Sequence, residues 1–300
     1  MDEHLHSQRR LGDWRDDLWN IDFLRLMADR LGLATARYAL DVGCGLGHWT
    51  RALGKVLHTD IEFVGIDREV EWARRARASS AKGLPRIAFC AGEAGRLPFA
   101  DESFDLVTCQ TLLIHLNDPL QAVREMARVL RPSGTLLLAE PNNLAQRATY
   151  GSSQYNAGLV DVIPMTWKLQ YVCERGKAAL GRGFNSSGDM LPNWLAQAGL
   201  QDIKVYLSDK TLPLMPPYQK EIEPELIGML EKQVQSRQWT WTEGEARAYF
   251  LAGGGSAEEF VTLWHAVLAE QADILSAIRR GEFYSAGGFL MYLASGKKPG

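Results

Sequence analysis

The stretch "YALDVGCGLGHWT", Tyr38 to Thr50, sets Gly43, Gly45 and Gly47 on alternate positions behind a short apolar run containing a carboxylate, Asp41. Glycines this dense cost backbone entropy on folding. They are expected where a backbone must turn tightly and approach a ligand. A flexible surface loop is the plainer alternative. Two further carboxylates bear on the choice. Asp67 ends the run "FVGID" twenty residues past Gly47, a position from which a carboxylate accepts both hydroxyls of a ribose. Glu93 follows the run "RIAFCA", in "CAGEAGRLPF".

The glycine spacing separates cofactors. A dinucleotide site reads G-x-G-x-x-G and aims a helix N-terminus at a pyrophosphate. Here the third glycine comes one residue early. Asp41, beside the turn, would repel a pyrophosphate and suits a ligand carrying an ammonium group. S-adenosylmethionine has an α-amino group, a ribose and an adenine, and no phosphate. Near such a site His115, in "TLLIHLNDP", is a candidate base, able as a neutral imidazole to take a proton from a hydroxyl or amine. Its alternative role is to shape the loop between a strand and a helix. His48 follows the last glycine, and the structural role of capping a helix is favoured there over lining the pocket.

The elements that must position these groups follow from periodicity. The runs "YALDV", "EFVGID", "RIAFCA", "FDLVTCQ" and "GTLLLAE" alternate with helical patterns over Trp49–Val56, Val70–Ala81 and Pro119–Leu130. Apolar strands separated by helices predict a parallel sheet covered on both faces, doubly wound by right-handed crossovers. Ligands of such α/β sheets bind at the carboxyl ends of the strands, where strand order reverses. Beyond Glu140 the rhythm changes. Residues 145–182 read as a helical insertion, and a helix in "DMLPNWLAQAG" leads into the strand "DIKVYL". A second helical insertion, 212–284, precedes the final strand, "GGFLMYLAS". The expectation is one domain over 1–300 carrying both insertions. Trp239, Trp241, Tyr249 and Trp264 form either an aromatic cap over a substrate or ordinary core.

At 46% hydrophobic and 23% charged residues, the 300-residue chain matches a soluble globular protein. A formal net charge of -3 gives no electrostatic footprint for nucleic acid. Cys44, Cys90, Cys109 and Cys173 form no C-x-x-C pair, which argues against a metal cluster or disulfide framework and for a reducing compartment. The N-terminus is charged from its second residue, unlike a secretory signal, and no apolar run reaches membrane-spanning length. A cytoplasmic location is expected.

In order and spacing, "ALDVGCGLGHWT", "GID", "GEAGRLPFADESFDLVTCQTLLIHLNDP" and "EMARVLRPSGTLLLAE" resemble the class I S-adenosylmethionine-dependent methyltransferases, and most nearly their type 11 family, over residues 38–142. The resemblance implies a seven-stranded Rossmann-like sheet of order 3-2-1-4-5-7-6 with its last strand antiparallel. It also implies S-adenosyl-L-methionine as cofactor. Asp41 and the backbone of Gly43, Gly45 and Gly47 would hold the methionine portion, and Asp67 the ribose. Arg68 would border the adenine, Glu93 and Ala94 would recognise its edge, and Gln110 would contact the methionine end near the sulfonium. Glu93 departs from the family's usual aspartate, and "LRPSG" from its "LRPGG".

The chain carries no N-P-P-Y motif and no metal-ligand cluster, so a small organic acceptor is expected, with O, N or C attack open. The insertions would sit over the carboxyl edge and select that acceptor, or else form a homodimer interface. Two alternatives remain at this stage. A nicotinamide-dependent oxidoreductase is disfavoured by the early third glycine, Asp41 and the lack of Y-x-x-x-K. A non-catalytic binding subunit is disfavoured by the complete motif set.

Overall fold

The apolar runs form the strands β1 (Tyr38–Val42), β2 (Glu62–Asp67), β3 (Arg86–Ala91), β4 (Phe104–Gln110), β5 (Leu130–Pro141), β6 (Gln201–Leu207) and β7 (Met291–Lys297). The computed structural model describes residues 13–72, 86–156, 162–220 and 222–300. Most of the helix expected over Val70–Ala81 lies outside the described residues. The main helices are α1 (Ile21–Arg30), α2 (His48–Gly54), α3 (Pro119–Val129), α4 (Val162–Ala179), α5 (Leu191–Gln197), α6 (Glu223–Gln235), α7 (Glu243–Ala252) and α8 (Ala257–Arg279).

All seven strands join one sheet of order β3-β2-β1-β4-β5-β7-β6. β1 pairs in parallel with β2 and β4, β2 with β3, and β4 with β5, while β7 is antiparallel to both β5 and β6. This is the order and handedness of pairing that the motif resemblance implied. Central strands covered on both faces must be apolar throughout. Ala39, Leu40, Leu106, Val107, Leu136 and Leu138 are accordingly fully buried. α3 covers one face with Ala122, Val123 and Met126, packed among Val107, Leu136 and Leu138. It starts sharply, because Asp118 accepts the Gln121 N–H at 3.0 Å and Pro119 occupies the first turn. α5 ends as the glycine pattern requires. Gly199 takes φ +82°, and the Leu200 N–H returns to the Leu195 carbonyl at 3.1 Å.

The chain divides into two compact units. The sheet unit comprises the described residues of 13–141, 187–210 and 291–300. The helical unit comprises those of 142–186 and 211–290. Both segments read as insertions thus lie in one compact unit. The reason is burial. Neither segment covers its own apolar face, so Leu169, Val172 and Cys173 of α4 pack with Trp241, Phe250, Phe260 and Trp264 in a common core. Trp239, Trp241, Tyr249 and Trp264 are all buried there, at 1–7% exposure, which is the core reading of these aromatics.

α4 and α7 meet through glycines. A Cβ on Gly176 would run into the Tyr249 carbonyl, and one on Gly253 into the Val172 carbonyl. Gly176→Ala must push the two helices apart and is expected to cost about 1–3 kcal/mol, as overpacking does. Urea unfolding followed by tryptophan emission measures this. An unchanged midpoint would show that the helices separate without strain.

Candidate cofactor site

Parallel crossovers bring the carboxyl ends of β1 to β4 to one edge of the sheet. Along it the candidate groups follow the strand order: Glu93 after β3, Asp67 on β2, the glycine turn and Asp41 on β1, and Gln110 on β4. At about 4.8 Å between neighbouring strands, the four ends span about 14 Å.

The turn needs its glycines. Gly43, Gly45 and Gly47 have φ of +70°, +49° and +78°, which other residues rarely adopt. Gly43 has a second reason, since a Cβ there would stand 2.7 Å from Leu112 Cδ1. The N–H groups of Gly43 and Cys44 both donate to the Ile66 carbonyl, at 2.7 and 3.1 Å. Asp67 continues the connection. Its Oδ2 accepts the Gly45 N–H at 2.9 Å and its Oδ1 the Glu69 N–H at 3.0 Å. Each carboxylate oxygen retains a second lone pair, so Asp67 is held in place with acceptor capacity to spare.

Asp41 is 1% exposed. Its Oδ2 accepts from the Thr50 hydroxyl at 2.5 Å, and its Oδ1 has no hydrogen-bond partner. Burial, reinforced by the neighbouring charge of Asp67, pushes this carboxyl up to about 7. A cation brought to Oδ1 would satisfy the orphaned oxygen and favour the ionised form. The residues present thus fit the ammonium end of S-adenosylmethionine.

Gln110 is buried, and its Oε1 accepts the Trp19 indole N–H at 3.1 Å. The Trp19 ring lies 5.0 Å from that of Trp49, whose own N–H donates to Thr108 Oγ1 at 2.8 Å. Next to Gln110, Thr111 adopts φ +52°, an outlier for a β-branched residue. The Arg15 guanidinium donates to its hydroxyl at 2.5 Å. His48 sits at the start of α2 with Nδ1 2.8 Å from Asp16 Oδ1, and Arg51 bonds the same carboxylate oxygen at 3.0 Å. These bonds tie the segment before α1 to the turn. Burial lowers the pKa of His48 despite Asp16.

The remaining candidates lie on the loops of this edge and make none of these bonds. Arg68 is exposed, its Nε 3.6 Å from Glu69 Oε1. Glu93 is exposed, with its backbone carbonyl accepting the Arg96 N–H at 3.1 Å, and Ala94 packs on the core. His115 is exposed at the end of a single 3-10 turn, Leu113–His115. Sequence reasoning missed Arg15, Asp16, Trp19 and Glu140. Only Glu140 carried a local signal, as a carboxylate directly after the apolar run Leu136–Ala139.

Residues 40–138 match the methyltransferase domain family. Methyltransferase GfsG of Streptomyces halstedii is 36% identical over 112 residues, 37% of this chain and 40% of that protein. Demethylmenaquinone methyltransferase of Staphylococcus aureus is 38% identical over 116 residues, 39% of this chain and 47% of that one. The chain thus spans less than half the length of these curated relatives. A solved structure of a candidate sarcosine dimethylglycine methyltransferase from Galdieria sulphuraria shares the fold. Its TM-score is 0.50 at 16% identity, covering 93% of this chain and 85% of that one. Among the described residues no helix is long and apolar enough to cross a membrane, and no three metal-ligating side chains cluster.

The raised Asp41 carboxyl has a stability consequence. Between the ordinary value of 3.8 and about 7, the folded protein keeps a proton that the unfolded chain has released. This site's contribution to stability therefore falls as pH rises through that window, and levels off above it. Asp41→Asn removes the slope, so its urea midpoint is expected to gain steadily on the parent's from about pH 4 to about pH 7 and to level off above that. A constant difference would show that Asp41 does not titrate in this range.

Proposed function

We propose that this chain is an S-adenosylmethionine-dependent methyltransferase acting on a small organic acceptor. The observation that carries this reading is the orphaned, buried Asp41 Oδ1 beside a glycine turn bonded to Asp67. Such a turn offers an ammonium a partner and a pyrophosphate a repelling charge. In this reading Asp41 and the turn hold the methionine portion, and Asp67 spends its free lone pairs on the ribose hydroxyls. Glu93, Ala94 and Arg68 border the adenine, and Gln110 meets the methionine end. When bound, the cofactor supplies an electrophilic methyl that an acceptor takes by in-line displacement.

The chain's own task is alignment and exclusion of water, and alignment alone can be worth about 7–11 kcal/mol. His115 is the base where the acceptor must lose a proton. A relative named for demethylmenaquinone supports an organic small-molecule acceptor. Acceptor contacts are assigned to the helical unit, with a homodimer interface there as the alternative. In support, the chain leaves the sheet at the carboxyl ends of β5 and β6 and re-enters at the start of β7. Free thiols at all four cysteines suit a reducing, cytoplasmic setting.

Titration calorimetry tests the cofactor. S-adenosylmethionine is expected to bind with micromolar affinity, about -8 kcal/mol, and nicotinamide dinucleotides not at all. Asp67→Ala should cost about 2–4 kcal/mol of that, by leaving ribose hydroxyls unpaired and releasing the Gly45 N–H. Tight dinucleotide binding would replace this reading with an oxidoreductase. An unaffected Asp67→Ala variant would remove the ribose from β2.

A further inference from the structure

We infer that Glu140 is a positioning residue, which fixes the loop after β4 and through it the methionine end of the cofactor site. The inference rests on the cofactor reading above. Glu140 lies next to the last residue of β5, fully buried, directly after the apolar run Leu136, Leu137, Leu138 and Ala139. A carboxylate there is expensive, since burial pushes it up to about 7 and its Oε2 has no hydrogen-bond partner. An apolar residue would avoid that cost. What the carboxylate supplies is one acceptor on which backbone donors converge. Its Oε1 takes the N–H groups of Leu112 and Leu113 at 2.8 and 2.7 Å, the first donors of the 3-10 turn ending at His115.

This anchor acts on both sides of the site. Upstream it follows directly on Thr111, held at φ +52° by its N–H to the Ala139 carbonyl at 2.9 Å and by Arg15 on its hydroxyl. Thr111 in turn follows Gln110. Across the sheet edge, Leu112 lies so close to the glycine turn that a Cβ on Gly43 would meet its Cδ1 at 2.7 Å. The two elements that Glu140 steadies, Gln110 and the Gly43 turn, both belong to the methionine end. Asp67 and Glu93, at the adenosine end, make no bond to this loop.

That polarity gives the test. Calorimetry would compare S-adenosylhomocysteine with 5′-methylthioadenosine, which keeps the nucleoside and thioether but lacks the amino-acid portion. Glu140→Ala is expected to weaken S-adenosylhomocysteine at least about tenfold, and methylthioadenosine by less than about threefold. Glu140→Gln keeps the accepting oxygen and should restore the first ligand to within about threefold of the parent. Equal losses for both ligands, or no loss in folded Glu140→Ala, would overturn the inference. Should that variant not fold, amide exchange in the parent decides. The Leu112 and Leu113 protons must be protected as well as those of β4, and fast exchange refutes the anchor. A parent that binds neither nucleoside removes the cofactor reading, and this inference with it. Normal parent binding with an unaltered ratio refutes the inference alone.

Discussion

One carbonyl oxygen, that of Ile66, receives the N–H groups of both Gly43 and Cys44. The candidate site depends on this convergence. It pulls the chain leaving β1 across the end of β2, a path open only to residues that tolerate positive φ. It brings the Gly45 N–H within 2.9 Å of Asp67, and it starts α2 at His48 directly afterwards. The register behind it is fixed by burial. Val42 pairs with Ile66 and Asp41 with Gly65, and a slip of one residue would exchange the faces on which Leu40, Asp41 and Val42 lie.

Three deeply buried carboxylates illustrate how much a partner set reveals. Glu174, in the helical unit, accepts from Gln170 at 2.5 Å and from Ser186 at 3.0 Å, with the Lys177 charge nearby. Glu140 collects backbone amides. Asp41 has Thr50 alone, through its hydroxyl and its backbone. All three are raised by burial and each keeps one carboxylate oxygen without a hydrogen-bond partner, yet the support on the other oxygen differs. The first two are supported by several donors from the fold itself, as structural carboxylates are. Asp41 is the least satisfied of them, and it is the one beside the turn. A buried acceptor that its own fold leaves so poorly served is a better pointer to a ligand than an exposed acid such as Glu93, which water already satisfies.

Much of this was legible in the sequence, and the division has a physical basis. Strands such as "FDLVTCQ" and turns such as Gly43–Gly47 are local patterns, because burial on both faces and positive φ each constrain a short window. Asp67 was legible because it stands at a fixed distance after the turn. Trp19 on Gln110 and Arg15 on Thr111 join residues 91 and 96 positions apart, and no periodicity encodes such pairs. The shared core of the helical unit was hidden for the same reason. The pattern of α8 announces an apolar face, but not that Leu169 and Cys173 of α4 are what it covers.

That shared core also limits what the helical unit's aromatics can do. A ring that fills a core cannot at the same time be a surface that reads a ligand, and Trp264 and Trp241 are 1% and 2% exposed. Trp241 packs edge-on to Tyr249 at 5.6 Å and Phe260 stacks on Trp264 at 5.6 Å, so these rings are committed to each other. Nor can residues 212–284 be treated as a detachable lid, because their loss would strip Leu169, Val172 and Cys173 of their neighbours. Large-to-small changes in such a core cost about 3–5 kcal/mol for a single aromatic. A unit with one core stands or unfolds as a whole. Side chains outside that core are the ones left free to meet a ligand.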